Sequence, residues 1–320
     1  MSMVTIKDVA KKANVSIGTA SRALHNNGYV SKASFEAVKN AARELGYVVN
    51  INALQLKNRK SNNVGILISD INNPYFIHVL NDLNNRLKER NISLITAFGN
   101  GTLEEAKQIK YLIGNKVSTI LFVPSNDKNI DVLNIAKAND INIIQLFVNI
   151  YPGFNSIVND DETGVYISAN KLINDGCKRI VLLDVLFNEN EFSVTVKPNR
   201  TEGIEQIQKE RSDIEFKVIK INPATDFEKQ IQDDFNDFAP DGVVAGTGVF
   251  GFEILKYCKA NSLKIKIVSF DDDKWFAFQG ISTIRQNEKK LIDEIVRLIL
   301  SNDKNNIEHI KISEKIINRN

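Results

Sequence analysis

Gly246-Thr247-Gly248-Val249-Phe250-Gly251 is a GxGxxG run that follows an apolar strand pattern and opens a helical one, and Asp271 comes after the next strand. Backbone amides at such a helix N-terminus cradle a pyrophosphate, and an acid about 20 residues on binds a ribose hydroxyl. Taken alone, the run permits a nucleotide-dependent oxidoreductase. It lies late in the chain, however, whereas the usual nucleotide fold carries its fingerprint at the first strand. Close backbone approach to some other ligand, with Gly246 at its edge, is the preferred use of these glycines. A different chemistry is offered by Ile17, Gly18, Thr19, Ser21 and Arg22. Arg22 can donate two hydrogen bonds to guanine O6 and N7, and Ile17 can touch a thymine methyl. Thr19 and Ser21 are short donors suited to phosphates. Catalysis finds no such support. There are three histidines (His25, His78, His309), no HExxH and no GxSxG, so neither a metal site nor an activated nucleophile can be assembled. Cys177 and Cys258 lack metal-ligand spacing and read as buried, reduced thiols. No cofactor and no catalytic residue is expected.

The DNA-facing residues need helices to hold them. Thr5 and Asp8 form a capping box, and Ile6, Val9, Ala10 and Ala13 recur at helical spacing until Asn14 ends the helix. Ser16 caps a second helix to about Leu24, burying Ala20, Ala23 and Leu24. Ser31 caps a third, with Phe35, Val38, Ala42 and Leu45 as its core stripe and Gly46 as its left-handed stop. Two short helices on a tight turn form a helix-turn-helix, whose second helix presents its N-terminal residues to the major groove. The DNA-facing set then includes Thr5 and Ser16 at the helix starts and His25 at the end of the second helix.

Charge supports this division. Residues 1–60 carry ten Lys or Arg against Asp8, Glu36 and Glu44, a balance of +7 within a chain of net +2, so the remainder is −5. A basic head on an acidic body is expected when one end binds a polyanion. At 320 residues with 43% hydrophobic content the chain has room for two or three domains. No apolar run reaches the roughly 18 residues of a membrane span, and no secretory pattern opens the chain, so no membrane association and a cytoplasmic location are expected.

Beyond residue 62 apolar runs alternate with amphipathic stretches. Strands are expected at Val64–Ile68, Leu94-Ile95, Thr119–Val123 and Ile141–Ile144, with helices near 75–90, 103–114 and 129–139. A second series follows at Arg179–Leu183, Lys217–Ile219, Gly242–Ala245 and Ile265–Val268. Alternating buried strands and helices predict two doubly wound parallel sheets, with a ligand at the carboxyl ends of their strands.

The run Val4-Thr5-Ile6-Lys7-Asp8-Val9-Ala10, then Val15-Ser16, Thr19-Ala20-Ser21-Arg22, Val30-Ser31 and Glu44-Leu45-Gly46-Tyr47, resembles the headpiece of the lactose-repressor (LacI/GalR) family. The body resembles the periplasmic sugar-binding fold that this family fuses to its headpiece. The resemblance implies a small all-α helix-turn-helix headpiece over 1–49, a hinge over 50–61 and an α/β periplasmic-binding-protein-like core over 62–320. Its first lobe would take about 62–159 and 286–308, its second about 160–285 and 309–320. Asn50, Ala53 and Leu56 match the hinge, making Leu56 the expected minor-groove wedge. Val49 and Leu54 depart from the family's usual proline and arginine.

The resemblance also implies ligand contacts. Asp70-Ile71-Asn72-Asn73-Pro74-Tyr75-Phe76 matches a family segment, so Asn73, Tyr75 and Phe76 are expected to hold hydroxyls and stack on a ring. Arg200, in an Arg-x-x-Gly element ending at Gly203, is the expected clamp, and Asp271 and Gln286 occupy further contact positions. Trp275, just after Asp271-Asp272-Asp273, offers a second stacking face. Gly246-Thr247 stands where the family often has Asn-Asp, and Phe147 where an acid is frequent, which implies a different ligand from the best-known sugars. The function so implied is that of a homodimeric, sequence-specific transcriptional repressor, not an enzyme, binding double-stranded palindromic operator DNA under the control of a sugar or sugar phosphate.

Overall fold

The caps of the first fifty residues form as their side chains require. The computed structural model describes residues 4–25, 27–48, 62–68, 73–186, 199–223, 225–301, 303 and 306–319. It divides into one unit over Met1–Ser61 and another over Asn62–Asn320. In the first, Thr5 donates from its backbone N and its Oγ1 to Asp8 Oδ2 (2.8 and 2.7 Å) and starts α1 (Ile6–Lys12). Ser16 Oγ accepts from Thr19 N at 3.0 Å and opens α2 (Ile17–His25). Ser31 Oγ accepts from Ser34 N at 3.3 Å and opens α3 (Lys32–Glu44). Gly46 follows at φ +63°, a left-handed backbone that costs glycine nothing. Val9, Ala10, Ala20, Ala23, Val38, Ala41 and Ala42 are buried together, with Leu24, Phe35 and Leu45 packed around them. The hinge residues 50–61, Leu56 among them, lie outside the described residues.

The second unit holds two six-stranded sheets. In chain order its elements are β1 (Asn63–Ile68), α4 (Pro74–Lys88), β2 (Ser93–Phe98), α5 (Thr102–Gly114), β3 (Thr119–Phe122), α6 (Ile130–Ala138), β4 (Asn142–Leu146), β5 (Asn155–Asn159) and α7 (Asp161–Asn174). There follow β6 (Arg179–Val185), α8 (Asn199–Glu210), β7 (Glu215–Ile221), α9 (Phe227–Phe238), β8 (Gly242–Ala245), α10 (Gly248–Ala260), β9 (Lys266–Phe270) and α11 (Lys274–Phe278). The last are β10 (Ser282–Gln286), α12 (Glu288–Leu300), β11 (His309–Ile312) and β12 (Glu314–Ile317). One sheet runs β11-β5-β4-β3-β1-β2 and the other β12-β10-β9-β8-β6-β7. Every pairing is parallel except β10 with β12.

Each sheet is covered on both faces, as parallel sheets require. In β1, Val64, Ile66 and Ile68 meet α4 and α12, whereas Leu67 faces the core shared with α5 and α6. In β6, Ile180 and Leu182 meet α7 and α8, whereas Val181 and Leu183 face α9 and α10. Two glycines allow this packing. A Cβ on Gly65 would lie 2.9 Å from Leu112, and one on Gly203 would lie 2.4 Å from the Glu162 carbonyl oxygen. The glycine of the Arg-x-x-Gly element therefore serves the close contact of α8 with α7.

The chain crosses between lobes three times, at Asp160, Asn287 and Ser313. The family resemblance implies that residues from about 309 belong to the second lobe. Instead β11 pairs with β5 in the first sheet (His309 opposite Ser156), and only β12 joins the second. Among the described residues no helix is long and apolar enough to cross a membrane.

Candidate functional site

In the first unit the helix-turn-helix residues share one surface of α2. Ile17 is 49% exposed, although it is a large apolar side chain on a small domain. Gly18 and Arg22 are exposed beside it, and Ser21 and His25 are half-buried. Positions 18 and 22, and 21 and 25, are neighbours at helical spacing. Ser16 Oγ and Thr19 Oγ1 lie 2.9 Å apart, so these two hydroxyls form a linked pair at the helix start. Gly28 takes φ +87°, and a Cβ there would stand 3.3 Å from Arg22 Cδ, so the loop after α2 lies along the arginine stem. Tyr29, in the same loop, is 90% exposed. A lone aromatic in a loop belongs to no periodic pattern, so nothing in the sequence singles it out.

In the second unit a cavity of about 270 Å³ opens at the carboxyl ends of β1, β8, β9 and β10. Of the expected ligand residues it brings together Asn73, Tyr75, Asp271 and Trp275. It adds His78 on α4, Val249 and Phe252 on α10, and Glu288 at the start of α12. His78, Phe252 and Glu288 have no motif around them, and only the crossing at Asn287 carries Glu288 to the others. Burial raises the Glu288 carboxyl above the ordinary carboxylate range, with His78 opposing the shift.

The remaining expected ligand residues stand behind this wall. Gln286 is buried and donates from Nε2 to Asp271 Oδ1 at 2.8 Å. Phe76 stacks on Phe147 with ring centres 5.3 Å apart, and Tyr75 meets the Phe147 ring edge-on at 5.5 Å. Phe147 takes φ +68°, a conformation rare for a bulky residue, and packs into this aromatic group. It supports Tyr75 from behind. Asp70, Ile71 and Asn72 lie outside the described residues.

Arg200 is the centre of an ionic cluster in which Asp184 is fully buried and Arg200 and Asp161 are largely so, with 18% and 21% of their side-chain surface exposed. Its Nη2 lies 2.9 Å from Asp161 Oδ2, its Nη1 3.5 Å from the fully buried Asp184, and its guanidinium 4.9 Å from the Phe270 ring centre. Lys220 Nζ holds the other Asp184 oxygen at 2.6 Å. Burial works against the arginine's charge, but the two aspartates outweigh it and raise its pKa. Gly246 sits against this group: a Cβ there would lie 2.7 Å from the Leu183 carbonyl oxygen and 3.5 Å from Arg200 Nη1. Arg200 and Gly246 therefore support the strand ends and are not among the residues lining the cavity.

Glu314 is buried in the same cluster. A Cβ on Gly164 would lie 2.2 Å from its Oε2. Burial pushes its carboxyl well above the ordinary range, and the charge of Asp161 adds to the shift. Burial raises Asp161 as well, but the Arg200 guanidinium opposes that shift, so Glu314 is the one of the pair pushed further up. A carboxyl whose pKa is raised on folding favours the folded state while protonated, and that stability is lost as pH rises from the unfolded value through the folded one. Glu314→Gln cannot ionise. It should be more stable than the wild type in urea unfolding at about pH 8, with the difference shrinking toward about pH 4.5. A difference independent of pH would rule out the protonated carboxyl.

The GxGxxG run is already occupied by the protein itself. Gly248 N donates to Asp271 Oδ2 at 2.8 Å, and Phe250 N to the Thr247 hydroxyl at 3.1 Å. A Cβ on Gly251 would lie 2.2 Å from Ser269 Oγ, so that glycine serves helix-sheet packing.

Residues 5–50 match the bacterial regulatory proteins of the lacI family. Residues 61–232, more than half of the chain, match the periplasmic binding proteins and sugar binding domain of LacI family, and residues 169–320 match a periplasmic binding protein-like domain. The chain belongs to the LacI family. It is 29% identical over 310 residues to the ribose operon repressor of Bacillus subtilis (strain 168), covering 93% of this chain and 91% of the relative. It is 25% identical over 308 residues to the sucrose operon repressor of Lactococcus lactis subsp. lactis, covering 93% of each. The crystal structure of the lac repressor dimer bound to operator and the anti-inducer ONPF shares its fold, with a TM-score of 0.81, 20% identity and coverage of 99% of this chain and 98% of that one. As a LacI-family protein the chain is a DNA-binding regulator and not an enzyme. The oxidoreductase reading of GxGxxG falls with that assignment, because the amide that would meet a pyrophosphate holds Asp271.

Proposed function

We propose that this LacI-family chain acts in the cytoplasm as a homodimeric repressor on a near-palindromic operator, relieved or reinforced by a sugar bound in the 270 Å³ cavity. One observation carries the reading. The same chain joins an exposed apolar and cationic surface on α2 to a cavity lined from both lobes by carboxylates and aromatic rings.

Ile17 and Arg22 read base edges, Gly18 admits close approach, and Thr5, Ser16, Thr19, Ser21 and His25 position the headpiece on phosphates. Leu56, by the family resemblance, wedges into the minor groove at the operator centre. In the core, Tyr75 and Trp275 offer ring faces to a sugar, and Asn73 and Asp271 lie where its hydroxyls would bond. A ligand that touches Glu288 on the first lobe and Asp271 on the second favours one arrangement of the lobes. Its differential affinity, typically about 1–3 kcal/mol in such systems, sets the change in operator binding. The names of the ribose and sucrose operon repressors support a sugar effector.

Selection of bound duplexes from random DNA by the purified full-length chain tests the reading. The expected result is a two-fold symmetric motif whose binding changes with one member of a sugar panel. Enrichment without symmetry would exclude the dimeric operator.

A further inference from the structure

We propose that the cavity admits uncharged sugars and rejects their phosphate esters, with Asp273 and Glu288 as the residues that make the distinction. This rests on the sugar-sensing reading above and adds a specificity to it.

A phosphate ester is held in proteins by Arg or Lys side chains or by free amides at a helix N-terminus. Among the described residues lining the cavity there is no Arg and no Lys. Behind the wall, the guanidiniums of Arg285 and Arg319 are engaged by Asp272, and that of Arg200 by Asp161 and Asp184. Each helix start facing the cavity also has one of its amides taken by a side chain of the protein. Asn73 Oδ1 accepts from Tyr75 N at 3.0 Å on α4, and Asp271 accepts from Gly248 N on α10. Asp273 Oδ1 accepts from Trp275 N at 3.1 Å on α11, and Asn287 Oδ1 from Lys290 N at 3.2 Å on α12. At each of these helix starts an acid or amide of the protein thus holds one of the amides that would meet an anion.

The four carboxylates in the wall are not equivalent. Asp271 bonds Gly248 N and Gln286, and Asp272 bonds Thr283, Arg285 and Arg319. Asp273 and Glu288 line the cavity and form no ion pair among the described residues, with His78 in the same wall as the group that favours the charge of Glu288. Carboxylates accept hydrogen bonds from sugar hydroxyls and repel phosphate. The pattern suits a neutral polyol with an apolar face.

The test is calorimetric titration of the full-length protein with D-ribose, D-fructose and D-glucose, each beside ribose 5-phosphate, fructose 1-phosphate and glucose 6-phosphate, and with sucrose. The expected result is an uncharged sugar that binds about ten-fold or more tightly than its own ester. Raising salt should strengthen residual ester binding by screening the repulsion. Asp273→Asn with Glu288→Gln should narrow the ratio, since Asn keeps the cap on α11 and neither change adds bulk. An ester that binds as tightly as its sugar overturns the proposal and leaves sugar sensing intact. A ratio unchanged in the double variant overturns the roles of Asp273 and Glu288. Absence of binding by the whole panel, sugars and esters together, removes the sugar-sensing reading and this proposal with it.

Discussion

Arg200→Ala should lower the stability of the core by about 3–5 kcal/mol, the range for removing one partner of a buried ion pair. The loss comes from what remains. Lys220 still neutralises Asp184, but Asp161 is left in a buried place beside Glu314 without its cation. Asp161 can escape by taking up a proton, so the deficit should shrink as pH falls. Urea unfolding of the wild type and the variant at several pH values measures both effects. Arg200→Lys should fall between them, because one ammonium cannot span two carboxylates as a guanidinium does. Full stability in Arg200→Ala would mean that the ionic cluster is dispensable. The resemblance assigned Arg200 to the ligand, and its position makes it first a support for the strand ends that hold Asp271.

Arg22→Ala should abolish discrimination at one base pair of each operator half-site. A bidentate arginine-guanine contact contributes about 1–3 kcal/mol of discrimination, and a symmetric dimer makes it twice. Titration of a selected operator and of its variants at that position measures the loss. The wild type should separate the two sequences strongly and Arg22→Ala should bind them alike. The α2–α3 loop bears on the same result. Gly28 borders the Arg22 stem at a backbone angle that disfavours side chains, so substitutions there should disturb Arg22 without touching a base.

The headpiece was legible because its information is local. Thr5, Ser16 and Ser31 cap helices within three or four residues of themselves, and Gly46 stops the last of them. The buried strands β1, β3, β6 and β8 were legible as apolar runs bounded by polar turns. The strand β5 was not. Its Asn155, Ser156 and Asn159 are buried, and their polarity hid the strand from a reading based on apolar runs. Asn155 is satisfied by Asn142 and Glu308 N, and Ser156 by His309, all remote in sequence. The strands β11 and β12 were missed because each is four residues long and partly exposed. At the cavity the motif-borne residues Asn73, Tyr75 and Asp271 were found, whereas His78, Phe252 and Glu288 depend on which helix starts the topology brings together. Phe147 was read as an extra aromatic that changes the ligand, but its ring lies against Phe76 in the core.

The three crossings also constrain how the chain can be made. The first lobe lacks α12 and its edge strand β11 until residue 312 has been synthesised, and the second lacks β12 until residue 317. Neither sheet gains its last edge strand until nearly the whole chain has been made. Only the headpiece, whose core lies within Val9 to Ala42 and its neighbours, is complete early. Domains in general fold as units during synthesis. Here the headpiece is available to fold first, and each lobe of the core receives its last strand near the end.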